Sequence, residues 1–342
     1  AWGPVLTSSS DRLTLTTTRR GTASAGQPVP ITHQGPDTSG LPVEPLCGLL
    51  NLAKPAGITS RDVVNRVLRL VRPAKVGHCG TLDPLAEGVL VVAVGTATRL
   101  VQYVQRLPKS YTGTFLLGRT SQTEDVEGEV RELPGAAVPS LDALRQAACA
   151  LTGTIQQRPP AFSALKIQGR PSYALARAGK SVRLEPRAVE VYALEVTAYD
   201  YPSLTLEIRC GSGTYVRSLG RDLAESLGTG AVMSQLVRSA VGSFRLAEAL
   251  SLDALTPQTL PASLLPPVRG AESLPQRVLG SAELDALQHG RRVPVPADET
   301  AFDVATLDAE GRLWGIAEIR DGWLIPTCNL PVGSRRDPTC PG

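Results

Sequence analysis

The sequence predicts an α+β fold, with a large domain followed by a small, mostly β second domain. Three observations lead there. Apolar residues at helical spacing recur between runs with strand periodicity through the middle of the chain. A Pro-rich stretch at 256–275 divides that region from a second patterned one. The 342 residues exceed the ~100–200 of one average domain, so one large domain plus an appendage is expected.

Residues 1–46 are rich in Ser, Thr, Gly and Pro without a sustained apolar period, and read as a flexible extension. The large domain is expected over 47–255. It opens on an apolar run, Leu46 to Leu52, that meets a turn signal at Lys54-Pro55-Ala56-Gly57, after which Thr59-Ser60 begins a helix. Val63, Val64, Val67, Leu68 and Val71 share one side of that helix, with Arg66 and Arg69 opposite. The turn-rich segment Gly77–Pro84 then feeds a buried-strand run, Val89–Val94. Alternating strands follow at Tyr111–Leu117 and Leu204–Cys210, with a helix between them opened by Ser140 and closed by Gly153. A Gly-rich turn, Gly211–Thr214, leads into a helix marked by Val216, Leu219, Leu223 and Leu227. Beyond the linker at 256–275, the second domain spans 276–332. It has a helix at Ser281–His289 with Gly290 as its C′ residue, then alternating segments at Phe302–Leu307 and Leu313–Ile319. The tail, 333–342, is expected to be mobile.

Composition excludes more than it selects. With 42% hydrophobic and 20% charged residues the bulk of the chain is expected to fold. A net charge of +3 is too small to announce a nucleic-acid binder by itself, although basic residues cluster at Arg61, Arg66, Arg69, Arg72 and Lys75, and again at Arg177, Lys180, Arg183 and Arg187. A solvated face and a phosphate-binding one fit these runs equally. The six cysteines are scattered without a C-x-x-C pair, and the chain has three histidines, so neither a zinc site nor a disulfide framework is suggested. No apolar run approaches the ~18–20 residues that span a membrane, and a cytoplasmic location is expected.

Asp83 lies in a loop punctuated by Gly and Pro, with His78 before it and a buried strand after. A carboxylate held there suits a nucleophile or general base, and equally an Asx-turn before proline. The wider pattern separates these. Gly77-His78-Cys79-Gly80-Thr81-Leu82-Asp83-Pro84-Leu85-Ala86-Glu87-Gly88-Val89-Leu90 resembles the signature of TruB-type pseudouridine synthases. Other segments similar to that family occur in its order: Gly48-Leu49-Leu50 through Lys54-Pro55 to Thr59-Ser60, then Lys109-Ser110-Tyr111, and Gln157 through Pro159-Pro160-Ala161-Phe162-Ser163 to Lys166. Gly213-Thr214-Tyr215-Val216-Arg217-Ser218-Leu219 and Leu236-x-Arg238 complete the set. Together they span about Cys47 to Leu250.

The resemblance implies a pseudouridine-synthase fold, a mixed β-sheet with flanking helices around a cleft, acting on uridine 55 in the T-loop of tRNA with no cofactor and no metal. The C-terminal segment is similar to the family's small PUA-like domain. Asp83 then takes the role of catalytic carboxylate near ribose C1′, with Arg217 as the positive partner that orients it. Tyr111 matches the tyrosine whose ring packs on the uracil and whose hydroxyl is a candidate for assisting loss of the C5 proton. Leu236 closes the apolar side of the pocket. His78 matches a residue that holds the rearranged RNA loop once the uridine is flipped out, and Tyr215 and Lys54 complete the expected substrate-binding set, with a structural role in the Lys-Pro turn fitting Lys54 as well. The expected partner is the tRNA T-arm, bound by a monomer without guide RNA or membrane.

Three departures from the family pattern stand out: Glu87, expected to point outward; Gln122, where an Asp is usual; and Phe162, where a Tyr is common. Rival readings are a nucleotide-binding turn at Gly211-x-Gly213, which lacks a third glycine at Val216, and a Cys79 thiol nucleophile beside His78. A non-catalytic RNA-folding protein and an RNA-guided relative share the expected fold. The joint presence of Asp83, Tyr111 and Arg217 favours catalysis over binding alone.

Overall fold

The computed structural model describes residues 46–162, 166–167, 170–171, 184–296, 299 and 302–330. Residues 1–45, the tail beyond 330, Ser163-Ala164-Leu165 and the basic run Arg177, Lys180 and Arg183 lie outside them.

Strand β1 (Gly48–Lys54) turns at Lys54–Gly57 into helix α1 (Ser60–Val71). A reciprocal cap starts this helix: the Thr59 hydroxyl accepts from Asp62 N at 3.1 Å, and the Asp62 carboxylate accepts from Thr59 N at 2.9 Å. Strands β2 (Val76–His78) and β3 (Glu87–Val94) bracket the Asp83 loop. There follow α2 (Val101–Arg106), β4 (Lys109–Leu117), α3 (Leu141–Ala150), β5 (Gly153–Gln157), β6 (Arg187–Asp200) and β7 (Ser203–Cys210). Then come α4 (Val216–Ser226), β8 (Ala231–Val241) and β9 (Leu250–Ser251).

These strands build one mixed sheet in the order β9-β1-β3-β8-β4-β7-β6-β5, with β2 beside β3. The β9–β1 and β3–β8 contacts are parallel and the others antiparallel. The parallel contact matters most for the site, because it sets the end of the Asp83 loop against Arg238 of β8: Gly88 pairs with Arg238. Gly88 adopts φ +106°, and a Cβ there would lie 2.3 Å from the Arg238 carbonyl oxygen, so glycine alone allows this approach.

One core lies where α3 and α4 cover β4, β6, β7 and β8, with Phe115, Leu144, Leu206, Leu219, Leu223 and Met233 buried in it. A second packs Val63, Val67 and Val71 of α1 on Leu50, Leu52, Leu90 and Val92. The apolar side of α1 read from the sequence is therefore the side it buries. The opposite face of β1 and β3 carries Leu49, Val89 and Val91.

That face is covered by the C-terminal part. A short helix α5 (Leu260–Ser263) precedes β10 (Gln276–Val278), α6 (Ser281–Gln288), β11 (Val293–Pro294), β12 (Asp303–Leu307), β13 (Leu313–Arg320) and β14 (Trp323–Asn329). The strands form a five-stranded sheet, β10-β12-β13-β14-β11. Alternation divides its side chains. Val304, Ala317 and Ile319 pack with Leu284 and Leu287 of α6, while Ala305, Leu307 and Ile316 join Leu49 and Val91 of the large sheet. Residues 256–275, expected as a linker, are fastened down: Leu49 and Leu265 exchange backbone hydrogen bonds at 2.9 and 2.8 Å, and Leu260, Gly270 and Ala271 are buried.

Candidate active site

The loop from Gly80 to Pro84 has no regular structure, yet it is tied at almost every residue. The Arg238 guanidinium donates to the carbonyls of Gly80 at 3.2 Å and Thr81 at 3.3 Å, while its Nε donates to Val89 at 2.7 Å. Buried Ser60, the first residue of α1, donates its hydroxyl to the Leu82 carbonyl at 3.0 Å and accepts from Leu82 N at 2.8 Å. Gly57 N and the Lys54 ammonium both donate to the Pro84 carbonyl, at 2.8 and 3.4 Å. Asp83 is thus presented by a rigid frame with its own side chain 36% exposed.

Its partner is Arg217, in the first turn of α4. The Gln157 side chain brackets the start of that helix, accepting from Tyr215 N at 2.8 Å and donating to the Tyr215 carbonyl at 3.0 Å. Arg217 is buried, and its Nε meets Asp83 Oδ2 at 3.1 Å. The rest of the guanidinium is consumed internally: Nη1 by Asp125 Oδ2 at 3.2 Å and the Thr123 carbonyl at 2.5 Å, Nη2 by the Phe162 carbonyl at 3.1 Å. Asp125 is itself held by the Thr123 hydroxyl at 2.6 Å and Glu127 N at 3.1 Å. A planar fork with all three nitrogens engaged orients a carboxylate more tightly than a lone point charge does.

Asp83 and Arg217 open on a cavity of about 880 Å³ whose wall also includes Lys109, Tyr111, Tyr215, Leu236 and Arg238. Tyr111 and Arg238 face each other across β4 and β8. Burial pushes the Tyr111 phenol up, outweighing Arg238, so at neutral pH it is a protonated ring rather than a phenolate. Glu127, also in the wall, is raised by burial and by the carboxylates of Asp125 and Asp83. The Cys79 thiol is pushed up to about 12 by burial, which removes the rival reading of it as a nucleophile.

With the geometry in place, comparison with known proteins gives a consistent answer. Residues 68–216 match the model for the TruB family pseudouridylate synthase N-terminal domain. The chain is 39% identical to a protein of Acaryochloris marina called tRNA pseudouridine synthase B, over 84% of this chain and 100% of that one. It is 40% identical to the Mycobacterium tuberculosis protein of the same name, over 80% and 92%. Among solved structures it is similar to that of a Cbf5–Nop10–Gar1 complex, with 25% identity and a TM-score of 0.63 over 81% of this chain and 83% of that one. An H/ACA RNP bound to a substrate RNA gives the same TM-score and identity over 85% and 86%. The chain belongs to the TruB family of pseudouridine synthases.

As a TruB-family enzyme, an isomerase, it brings Asp83, Tyr111, Arg217, Tyr215 and Leu236 together around one cavity. Two expected residues stand elsewhere. Lys54, expected to bind substrate, is 1% exposed and outside the cavity wall, its ammonium taken by the carbonyls of Pro55, Ile58 and Pro84. It positions the catalytic loop, because a buried ammonium must find acceptors and three carbonyls lie within reach. His78 lies on β2 outside the wall. Burial, with help from Arg238 and Arg61, keeps its imidazole neutral, and its Nδ1 has no hydrogen-bond partner among the described residues. Glu87 and Gln122 are both exposed, so Glu87 points outward as expected.

Asp125, Gln157, Ser60 and Arg238 were not read as site residues. All four are buried polar side chains inside matched or adjacent segments. That combination, a polar residue where the pattern calls for burial, was the available signal. No helix among the described residues is long and apolar enough to cross a membrane.

Proposed function

We propose that this chain converts uridine 55 of the tRNA T-loop to pseudouridine, with Asp83 as the catalytic carboxylate. One observation supports this above the others: a rigidly framed, partly exposed carboxylate paired with a buried arginine at the edge of a cavity walled by Tyr111 and Leu236. The reaction breaks the bond from C1′ to N1, retains and turns the base, joins C1′ to C5, and moves a proton from C5 while N1 gains one. Electrons balance within the substrate, so the chemistry needs no redox cofactor and no co-reactant. Attack of Asp83 on C1′ and removal of a ribose proton by Asp83 both begin from the same carboxylate. Arg217 orients it; Tyr111 packs on the uracil and Leu236 closes the opposite side. A uridine inside a folded T-loop must be flipped out to reach this cavity, at a cost of about a few kcal/mol.

The enzyme acts on free tRNA as a cytoplasmic monomer, without a guide RNA. The curated relatives named for tRNA, matched over nearly their full length, favour this over the guided assemblies among the solved structures. The test is to incubate the purified chain with an unmodified tRNA transcript and no other RNA, then map pseudouridine. Modification confined to position 55 is expected; no modification, or modification only after adding a second RNA, overturns the proposal.

A further inference from the structure

Among the described residues two lysines are nearly inaccessible, and they differ in one respect. Lys54 fills its three N–H donors with three backbone carbonyls. Lys109, 7% exposed, gives one donor to the Gln105 carbonyl and has no other acceptor and no carboxylate partner among the described residues. It is also part of the cavity wall, which Lys54 is not. A desolvated ammonium with two vacant donors is costly unless something else supplies the counter-charge.

Its neighbours do not. The charged and titratable groups that act on Lys109 are Arg238 of β8, Cys79 of the catalytic loop and Cys210 of β7. Arg238 repels it. Both thiols are protonated at neutral pH, since burial pushes Cys79 to about 12 and Cys210 to about 11. Burial lowers Lys109 to about 8, which still leaves it mostly cationic at pH 7.

We propose that Lys109 is a phosphate-binding residue of the active site, receiving a phosphodiester group adjacent to the flipped uridine. This rests on the reading of the cavity as an RNA site. Lys109 and Tyr111 share one face of β4, about 7 Å apart. A base packed on Tyr111 places its own sugar–phosphate backbone within that span. Uracil and ribose are neutral, so the phosphodiester is the part of the substrate able to supply the missing negative charge. A phosphate there also raises Lys109 again, fixing the proton that burial loosens.

The experiment uses the full chain and a T-arm stem-loop carrying a single uncharged methylphosphonate linkage on the 5′ or 3′ side of the target uridine. Conversion of the unsubstituted stem-loop is measured first; its absence would count against the functional reading rather than against Lys109. Given conversion, one of the two neutral linkages is expected to weaken binding about tenfold. The same linkage should have little effect on Lys109→Gln, which itself binds the charged RNA about tenfold more weakly. The slope of log K against log salt should fall by roughly 0.7–0.9 in the variant, the loss of one phosphate contact. Lys109→Arg should recover the slope. If neither linkage costs the unaltered chain any affinity, the proposal is overturned without reference to a variant's folding. It is equally overturned if linkage and substitution effects multiply independently.

Discussion

Arg217, buried, and Arg221, half-buried, stand one turn apart on α4 and are each bound by two carboxylates, yet they serve different ends. Arg221 joins Glu124 to Asp222 and donates to the Arg158 carbonyl, beside a separate cavity of about 720 Å³ that Asp83 does not line. Arg217 joins Asp125 to Asp83, and Asp83 faces the active-site cavity. The adjacent residues Glu124 and Asp125 each anchor one arginine. The difference teaches that a buried arginine–carboxylate network is not by itself a catalytic signature; what marks one is a terminal carboxylate left open to substrate.

The comparison is sharpened by removing charge at each end. Asp83→Asn keeps shape and hydrogen bonding but no nucleophile, so turnover should fall by at least about a thousandfold. Tritium release from tRNA carrying 5-tritiated uridine would measure this, with tRNA binding unchanged in a parallel assay. Arg221→Met strands Glu124, which burial already holds above its ordinary pKa, and should cost about 3–5 kcal/mol in denaturant unfolding. Turnover of the folded fraction should stay within about threefold, since activity does not pass through that network. A loss of turnover matching that of Asp83→Asn would show the two networks to be one. Asp125→Asn should lie between them: Arg217 loses a counter-charge, its fork shifts, and kcat drops about a hundredfold, the effect of a displacement of about 1 Å. Unaltered KM would show that the effect is on orientation rather than on binding.

The same contrast explains what was legible in the sequence. Elements with one wet and one dry face were readable from periodicity: α1, β4, β7, α4, α6, β12 and β13 lie where their patterns put them. Strand β8, in the middle of the sheet, was not read. Its register shifts at 233–235 and 238–240 break the alternation, and it buries Arg238 among apolar residues. Strand β6 carries register shifts at 191–193 and 196–198 and escaped for the same reason. The members of the site that touch the cavity were visible as motif residues. The roles of those that hold the site were not, because Ser60 and Gln157 act on backbone groups, and Asp125 on the Arg217 side chain, far away in sequence, and that geometry exists only once the chain has folded. For Lys54 the sequence leaves a structural and a substrate-binding role equally open, since a buried and an exposed lysine read alike.

Lys109 offers the finest test of the comparison, because it is a buried cation without the carboxylates that both arginines have. Its folded pKa of about 8 lies below the 10.5 of an ordinary lysine, so between those values the unfolded chain binds more protons than the folded one. Stability contributed by this group therefore rises as pH increases through that window and is lowest below it. The full shift corresponds to about 3 kcal/mol, and residual hydration of a cavity-lining amine reduces this to about 2 kcal/mol. Lys109→Met removes the titration. Urea unfolding of both chains at pH 7.5 and pH 10.5 should show the variant more stable at the lower pH and the advantage shrinking by about 2 kcal/mol at the higher. A difference independent of pH would mean that an internal counter-charge already neutralises Lys109. In that case its environment resembles that of Arg217 and Arg221, and the vacancy for a phosphate closes.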